Sequence, residues 1–241
     1  MTVEKHAMPE EAAGLAPGQS MSREQRATRQ GPRVRRLGLV PYQRAWEAMK
    51  DFTASRTPAT ADEIWLLEHL PIYTYGVAGR SEHLPGPDCG VPVLKVDRGG
   101  QVTYHGPGQL VAYVLLDLHR CGSTVRSLVR ALEQAVIDLV ADFGIAAAAR
   151  EDAPGVYVRG AKIAALGLRI RHGCSYHGLS LNVNMDLAPF RAIDPCGYAG
   201  LEVTQLCDLG VTEPIEDIGV RLVSKLTRHL VPATREAEKQ S

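Results

Sequence analysis

Between Arg98 and Gln109, four glycines, a proline, an arginine and a histidine fall within twelve residues, and the chain then runs straight into Leu110-Val111-Ala112-Tyr113-Val114-Leu115-Leu116. The glycines admit φ > 0 and let a backbone approach another group closely, while Pro107-Gly108 suits the central positions of a type II turn. The apolar run that follows reads as a buried strand. A constrained loop mounted on such a strand can hold backbone donors and side chains against a ligand. A plain tight connection explains the turn residues, but it does not require Arg98, Tyr104 and His105 together.

The rest of the chain organises around that junction. Residues 1–32 read as a flexible extension without a sustained apolar period, and 233–241 as a flexible tail. Between them the spacing predicts a single domain over 33–232. A strand is expected over Val34–Val40, then a helix opening at Pro41 with Tyr42, Ala45, Trp46, Met49 and Phe52 on one stripe. Ile64–Leu67 and Ile72–Tyr75 read as short strands, Ser81–Val91 as a loop, Val93–Val96 as the lead into the glycine-rich segment, and Leu110–Leu118 as a buried strand. Ser123 is the expected cap of a helix whose apolar stripe is Val125, Leu128, Val129, Leu132, Val136, Leu139, Val140 and Phe143, closed by Gly144. Gly155–Val158 and Lys162–Arg171 flank Arg159-Gly160-Ala161 as a hairpin, and Ser175–Met185 is a third strand. A last helix is expected from Pro214. Consecutive strands between isolated helices make this an α+β fold with a mixed sheet flanked by helices, rather than a βαβ winding.

Composition narrows the function classes. Lys+Arg 27 against Asp+Glu 27 leaves no net charge, so neither a nucleic acid nor an anionic membrane is an expected partner. No apolar run is long enough to span a bilayer, and Met1–Gln30 lacks the apolar core of a secretory signal, so the cytoplasm is the default expectation. The five cysteines are widely spaced, and neither they nor the histidines have structural-zinc spacing, so no metal is expected. Walker and Rossmann glycine patterns are absent.

Two residues stand out for chemistry. Cys196 sits in Ala192-Ile193-Asp194-Pro195-Cys196-Gly197-Tyr198, where Pro195 and Gly197 fix the backbone and leave the thiol uncrowded. Lys162 is the one charge in Lys162-Ile163-Ala164-Ala165-Leu166-Gly167-Leu168, and period-two alternation puts it on the face of Ala164 and Leu166. A desolvated ammonium there would lower the pKa of a nearby thiol, whereas a lysine at a strand end can also snorkel to water. From the residues alone both readings stand. His105 is the alternative base for a cysteine. Arg98 can pair with an anionic group or with neighbouring Asp97. His172 and His177, flanking the turn at Gly173, read as solvated turn residues.

Taken together, Arg98-Gly99-Gly100-Gln101-Val102-Thr103-Tyr104-His105 with the glycine-rich stretch to Gln109, Gly160 to Gly167, His177-Gly178-Leu179-Ser180-Leu181-Asn182-Val183-Asn184, and Asp194-Pro195-Cys196-Gly197 closely resemble the lipoyl(octanoyl) transferases. The resemblance runs from about Val34 to about Val231, with the four motifs in order. It implies the fold shared by the catalytic domains of biotin and lipoate protein ligases. It also implies transfer of octanoyl from octanoyl-acyl carrier protein to a lysine of a lipoyl domain, the first step of endogenous protein lipoylation. The acceptors would be the lipoyl domains of 2-oxoacid dehydrogenase complexes and the glycine cleavage H protein. Cys196 would be the acyl-accepting nucleophile and Lys162 the lysine that lowers its pKa. Arg98 to His105, Ala165-Leu166-Gly167 and Gly178-Leu179-Ser180 would bind substrate, with no cofactor. Three other readings carry different tests: an ATP-dependent lipoate or biotin ligase, a non-catalytic carrier-binding scaffold, and a papain-like hydrolase using Cys196 and His105.

Overall fold

The computed structural model describes residues 31–86, 89–194 and 200–230. Apart from Gly31 and Pro32, the expected N-terminal extension lies outside these residues, as do the expected C-terminal tail and Cys196.

Among the described residues, ten strands form two sheets. The large sheet runs in the order β1 (Arg33–Val40), β2 (Glu63–His69), β6 (Gln109–Leu115), β10 (Cys174–Asn182), β9 (Ala161–Arg171), β8 (Gly155–Val158) and β7 (Ala148–Ala149). Its pairs are antiparallel except β1–β2, which run parallel and are joined by helix α1 (Tyr42–Ala54). A βαβ unit therefore sits at one edge, which the sequence reading did not foresee. A second sheet of three strands, β4 (Val93–Lys95), β3 (Ile72–Tyr75) and β5 (Val102–His105), was likewise not anticipated as separate. The mixed sheet with three described helices otherwise matches the expected α+β class.

Helices α2 (Val125–Ala141) and α3 (Ile215–Leu230) cover one face of the large sheet. Leu128, Leu132, Val136, Leu139 and Val140 on α2 are at most 1% exposed, packed with Ile218, Leu222 and Leu226 of α3 and with Leu110, Ala112, Leu179 and Leu181 of the sheet. At about 1.5–3 kcal/mol per buried aliphatic side chain, this layer is the main source of stability. The N-cap of α2 is Thr124 rather than the expected Ser123: its hydroxyl accepts from the Ser127 amide and the Ser127 hydroxyl accepts from the Thr124 amide. The opposite sheet face is covered at one end by α1, where Ala45 and Met49 meet Trp65, Leu67, Val111 and Tyr113. Its other end is left for a cleft.

Candidate active site

The cleft encloses about 730 Å³, mouth included, between β9, β10 and β6 on one side and β5 with the glycine-rich loop on the other. Its floor follows from register. Ser180 pairs with Val111 on one side and Ala165 on the other, and Gly178 pairs with Tyr113 and Gly167, so these side chains share the face away from α2. Leu179 pairs with Ala112 and Leu166 and points its bulk into the α2–α3 core.

Lys162 reaches the cleft for a reason that alternation alone does not supply. Val156 pairs with Ala164 but Tyr157 pairs with Lys162, so Ile163 is the extra residue of a bulge. The bulge flips the face of Lys162. It leaves Ala164 and Leu166 with the core and joins Ala165 and Gly167 instead, which corrects the expected face. Its Nζ lies 5.4 Å from the Tyr157 ring centroid, and the residue is 4% exposed. Snorkelling to water is thereby ruled out. Its stem passes over Gly155, whose added Cβ would stand 2.4 Å from Lys162 Cε, so glycine is required there.

Arg98 does not pair with Asp97. Its guanidinium donates to the carbonyl of Gly99 and to both the carbonyl and the hydroxyl of Thr74, at 2.9 Å each, and so clamps the loop to β3. Gly167 is where that side chain crosses β9, since an added Cβ would come within 2.9 Å of Arg98 Cδ. Pro107-Gly108 makes the expected turn, with Gly108 at φ +84° and the Gln109 amide bonded to the Gly106 carbonyl.

Of the predicted binding residues, Arg98, Gly100, Gln101, Val102, Thr103, His105, Ala165, Leu166, Gly167, Gly178, Leu179 and Ser180 line the cleft with Lys162. Two do not. Gly99 spends its amide on the Leu168 carbonyl, and Tyr104 turns to the other side of β5, against Tyr73 and Phe190. Gln101 Oε1 is among the described buried polar atoms without a hydrogen bond.

The sequence reading missed a buried layer of aromatic and imidazole rings at one end of the cleft. His177 is 1% exposed and adopts φ +62°, a left-handed backbone inside β10. That twist sets its ring beside Tyr176, so both reach Asp97: His177 Nε2–H donates to Oδ1 at 3.1 Å, and the Tyr176 hydroxyl donates to Oδ2 at 2.5 Å. His177 is therefore not the solvated turn residue expected, whereas His172 is exposed. Tyr42 stacks on His105, and His69 Nε2 accepts from the Tyr113 hydroxyl at 2.7 Å. Gln109 Nε2 donates to Asn182 Oδ1 and Tyr104 O, so Gln109 Oε1 accepts from His105 Nδ1–H at 2.7 Å. Burial holds His69 near a pKa of about 4 and pushes His105 well below its ordinary value, with like charge from neighbouring imidazoles adding to it. Burial also lowers His177, partly offset by Asp97. Burial raises the Asp97 carboxyl, but hydrogen bonds from His177, Tyr176 and Trp46 outweigh it and hold the group well below the carboxylate range.

The segment carrying Cys196 is bracketed by described residues at the site. Phe190 and Val203 both line the cleft, and Asp194 Oδ2 accepts from His83 Nδ1 at 3.0 Å. The Lys162 amide donates to Glu202 O, and the Thr204 amide donates to Lys162 O.

Residues 41–227 match the family model for the lipoyl protein ligase A/B catalytic domain. The chain is 62% identical to an octanoyltransferase of Azoarcus sp. strain BH72, over 83% of this chain and 88% of that protein. It is 60% identical to one of Dechloromonas aromatica strain RCB, over 83% of this chain and 97% of that protein. Among solved structures, a bipartite lipoate protein ligase with its E2 lipoyl domain from Thermoplasma acidophilum superposes with a TM-score of 0.68 at 18% identity, covering 83% of this chain and 84% of that one. The biotin protein ligase of Aquifex aeolicus superposes with a TM-score of 0.52 at 12% identity, over 83% and 69% of the two chains. These two likenesses establish the fold expected from the sequence.

Proposed function

This chain belongs to the lipoyl protein ligase A/B catalytic-domain family and is an octanoyltransferase, and we propose that it takes octanoyl from octanoyl-acyl carrier protein and passes it to a lysine of a lipoyl domain through a thioester on Cys196. The acceptors are lipoyl domains of 2-oxoacid dehydrogenase complexes and the glycine cleavage H protein. One observation carries the reading. A buried lysine faces a cleft, and its backbone bonds to Glu202 and Thr204, which follow Cys196 by six and eight positions. An ammonium so desolvated needs an anion nearby, and a thiolate supplies one while its own pKa falls.

The Cys196 thiolate attacks the octanoyl carbonyl, and backbone amides beside Cys196 or in the glycine-rich loop steady the oxyanion, each worth about 3 kcal/mol. The carbon–sulfur bond to pantetheine breaks, and Lys162 gives its proton to the leaving sulfur. The acceptor lysine, entering as a neutral amine, attacks the acyl-enzyme, and Lys162 takes the proton that this nitrogen sheds. Collapse expels the Cys196 thiolate and leaves an amide, downhill from a thioester without ATP. Val102, Val111, Phe190 and Val203 give the octanoyl chain an apolar wall, and the small Ala165 leaves it room, whereas the space over Gly167 is taken by the Arg98 side chain. Burying six or seven methylenes contributes roughly 5 kcal/mol.

Intact mass after mixing with octanoyl-acyl carrier protein tests the reading. Wild type gains one octanoyl group without ATP, an apo-lipoyl domain then removes it, and Cys196→Ala never gains it. An unmodified wild type, or transfer that needs octanoate plus ATP, contradicts the proposal.

A further inference from the structure

Glu133 is a carboxylate the reaction scheme does not yet use, and it is 8% exposed on α2. Its Oε1 accepts the Gly155 amide hydrogen at 3.0 Å. Gly155 is the residue over which the Lys162 stem passes, and a Cβ added there would lie 3.1 Å from Lys162 Nζ. Carboxylate, glycine backbone and ammonium thus form one continuous stack in the interior. Buried ions persist only where opposite charge compensates them. In the acyl-enzyme the thiolate charge is gone, and so is the proton that Lys162 gave the leaving sulfur; a fixed carboxylate behind Gly155 then favours return of a proton to that lysine.

We propose that Glu133 is a positioning residue for the transfer: its carboxylate, seated behind Gly155, is the standing counter-charge of Lys162 and sets that lysine's affinity for the proton it takes from the acceptor amine. The inference rests on the reading that Lys162 shuttles a proton between pantetheine and acceptor. Burial raises the Glu133 pKa, against the Gly155 hydrogen bond and the Lys162 charge, which lower it. Among the described residues, the groups facing Lys162 include Tyr157 from β8 and Glu133 from α2, whose carboxyl also feels the Arg130 charge, and under the same reading Cys196 faces it too. Glu202 offers Lys162 a backbone carbonyl, and its residue is exposed.

Two half-reactions separate the roles: formation of the acyl adduct from octanoyl-acyl carrier protein, and its discharge to an apo-lipoyl domain, each followed by mass against pH. Glu133→Gln keeps an acceptor for the Gly155 amide and removes only the charge. Its adduct-formation profile is expected to move its basic limb down by about half a pH unit or more, as an opposite charge withdrawn from a lysine requires. Discharge slows several-fold, because Lys162 has become a weaker base. Glu133→Ala shows the same changes and a lower Tm. Glu133→Gln profiles that superimpose on wild type in both half-reactions overturn the inference alone. A wild type that forms no adduct overturns it together with the parent reading.

Discussion

Lys162 and Gly155 show how single residues make this site. The lysine faces the cleft because Ile163 is an extra residue in β9, and it fits because position 155 has no side chain. Gly155 also sits at φ +146°, so alanine there is strained as well as crowded against Lys162 and the Ala164 carbonyl. Gly155→Ala is expected to cost about 2 kcal/mol or more of stability. It should also cut adduct formation at saturating carrier far more than it weakens carrier binding, since the lysine, not the docking surface, is displaced. Urea midpoints with single-turnover rates check this; unchanged rates would mean the lysine's position is unimportant. The chemical anomaly of Lys162 was legible in the sequence, but its face was not, because a bulge leaves no period of its own. His177 was misread for a related reason. The left-handed backbone that buries it is imposed by the strands around it, and a histidine beside Gly173 carries no local sign of that.

The elements were largely visible as periodicity. The α2 stripe, the hairpin at Arg159-Gly160 with φ +50° and +89°, and the apolar β6 all follow from local spacing. Boundaries shifted where tertiary pairing decides them: β6 ends at Leu115 and β10 at Asn182, short of the apolar runs that suggested longer strands. The separate three-stranded sheet was invisible because its strands pair across long stretches of chain. The cap of α2 moved by one residue, and that difference is measurable. Thr124→Ala removes the side-chain acceptor for the Ser127 amide and is expected to lower stability by about 1 kcal/mol. Ser123→Ala, which loses only a long bond to the Cys121 carbonyl, changes it little. Thermal melts of the two variants decide the cap, with octanoyl transfer retained in both; equal losses would contradict the assignment.

For the whole molecule, the buried imidazole layer links stability to pH. His69, His105 and His177 all have folded-state pKa values below the ordinary 6.5, chiefly from burial. The unfolded chain therefore binds protons that the folded chain refuses. The stability these groups contribute is complete above about pH 6.5 and drains as pH falls toward about 4, where His69 titrates. Each group adds a slope of up to about 1.4 kcal/mol per pH unit in that window. Calorimetric Tm should fall steadily through it, with proton uptake on unfolding; a flat Tm would mean the rings are not held neutral. Among the described residues no helix is long and apolar enough to cross a membrane. The molecule places Lys162 between the α2–α3 core and the glycine-rich clamp, and in the proposed mechanism that lysine first keeps the Cys196 sulfur ionised. The rate of Cys196 alkylation by iodoacetamide against pH reads this directly. Wild type should reach its plateau well below the ordinary thiol range near pH 8.5, and Lys162→Met should move the midpoint up by at least about one unit. Superimposable curves for the two proteins, or a shift produced by His105→Ala instead, would contradict it.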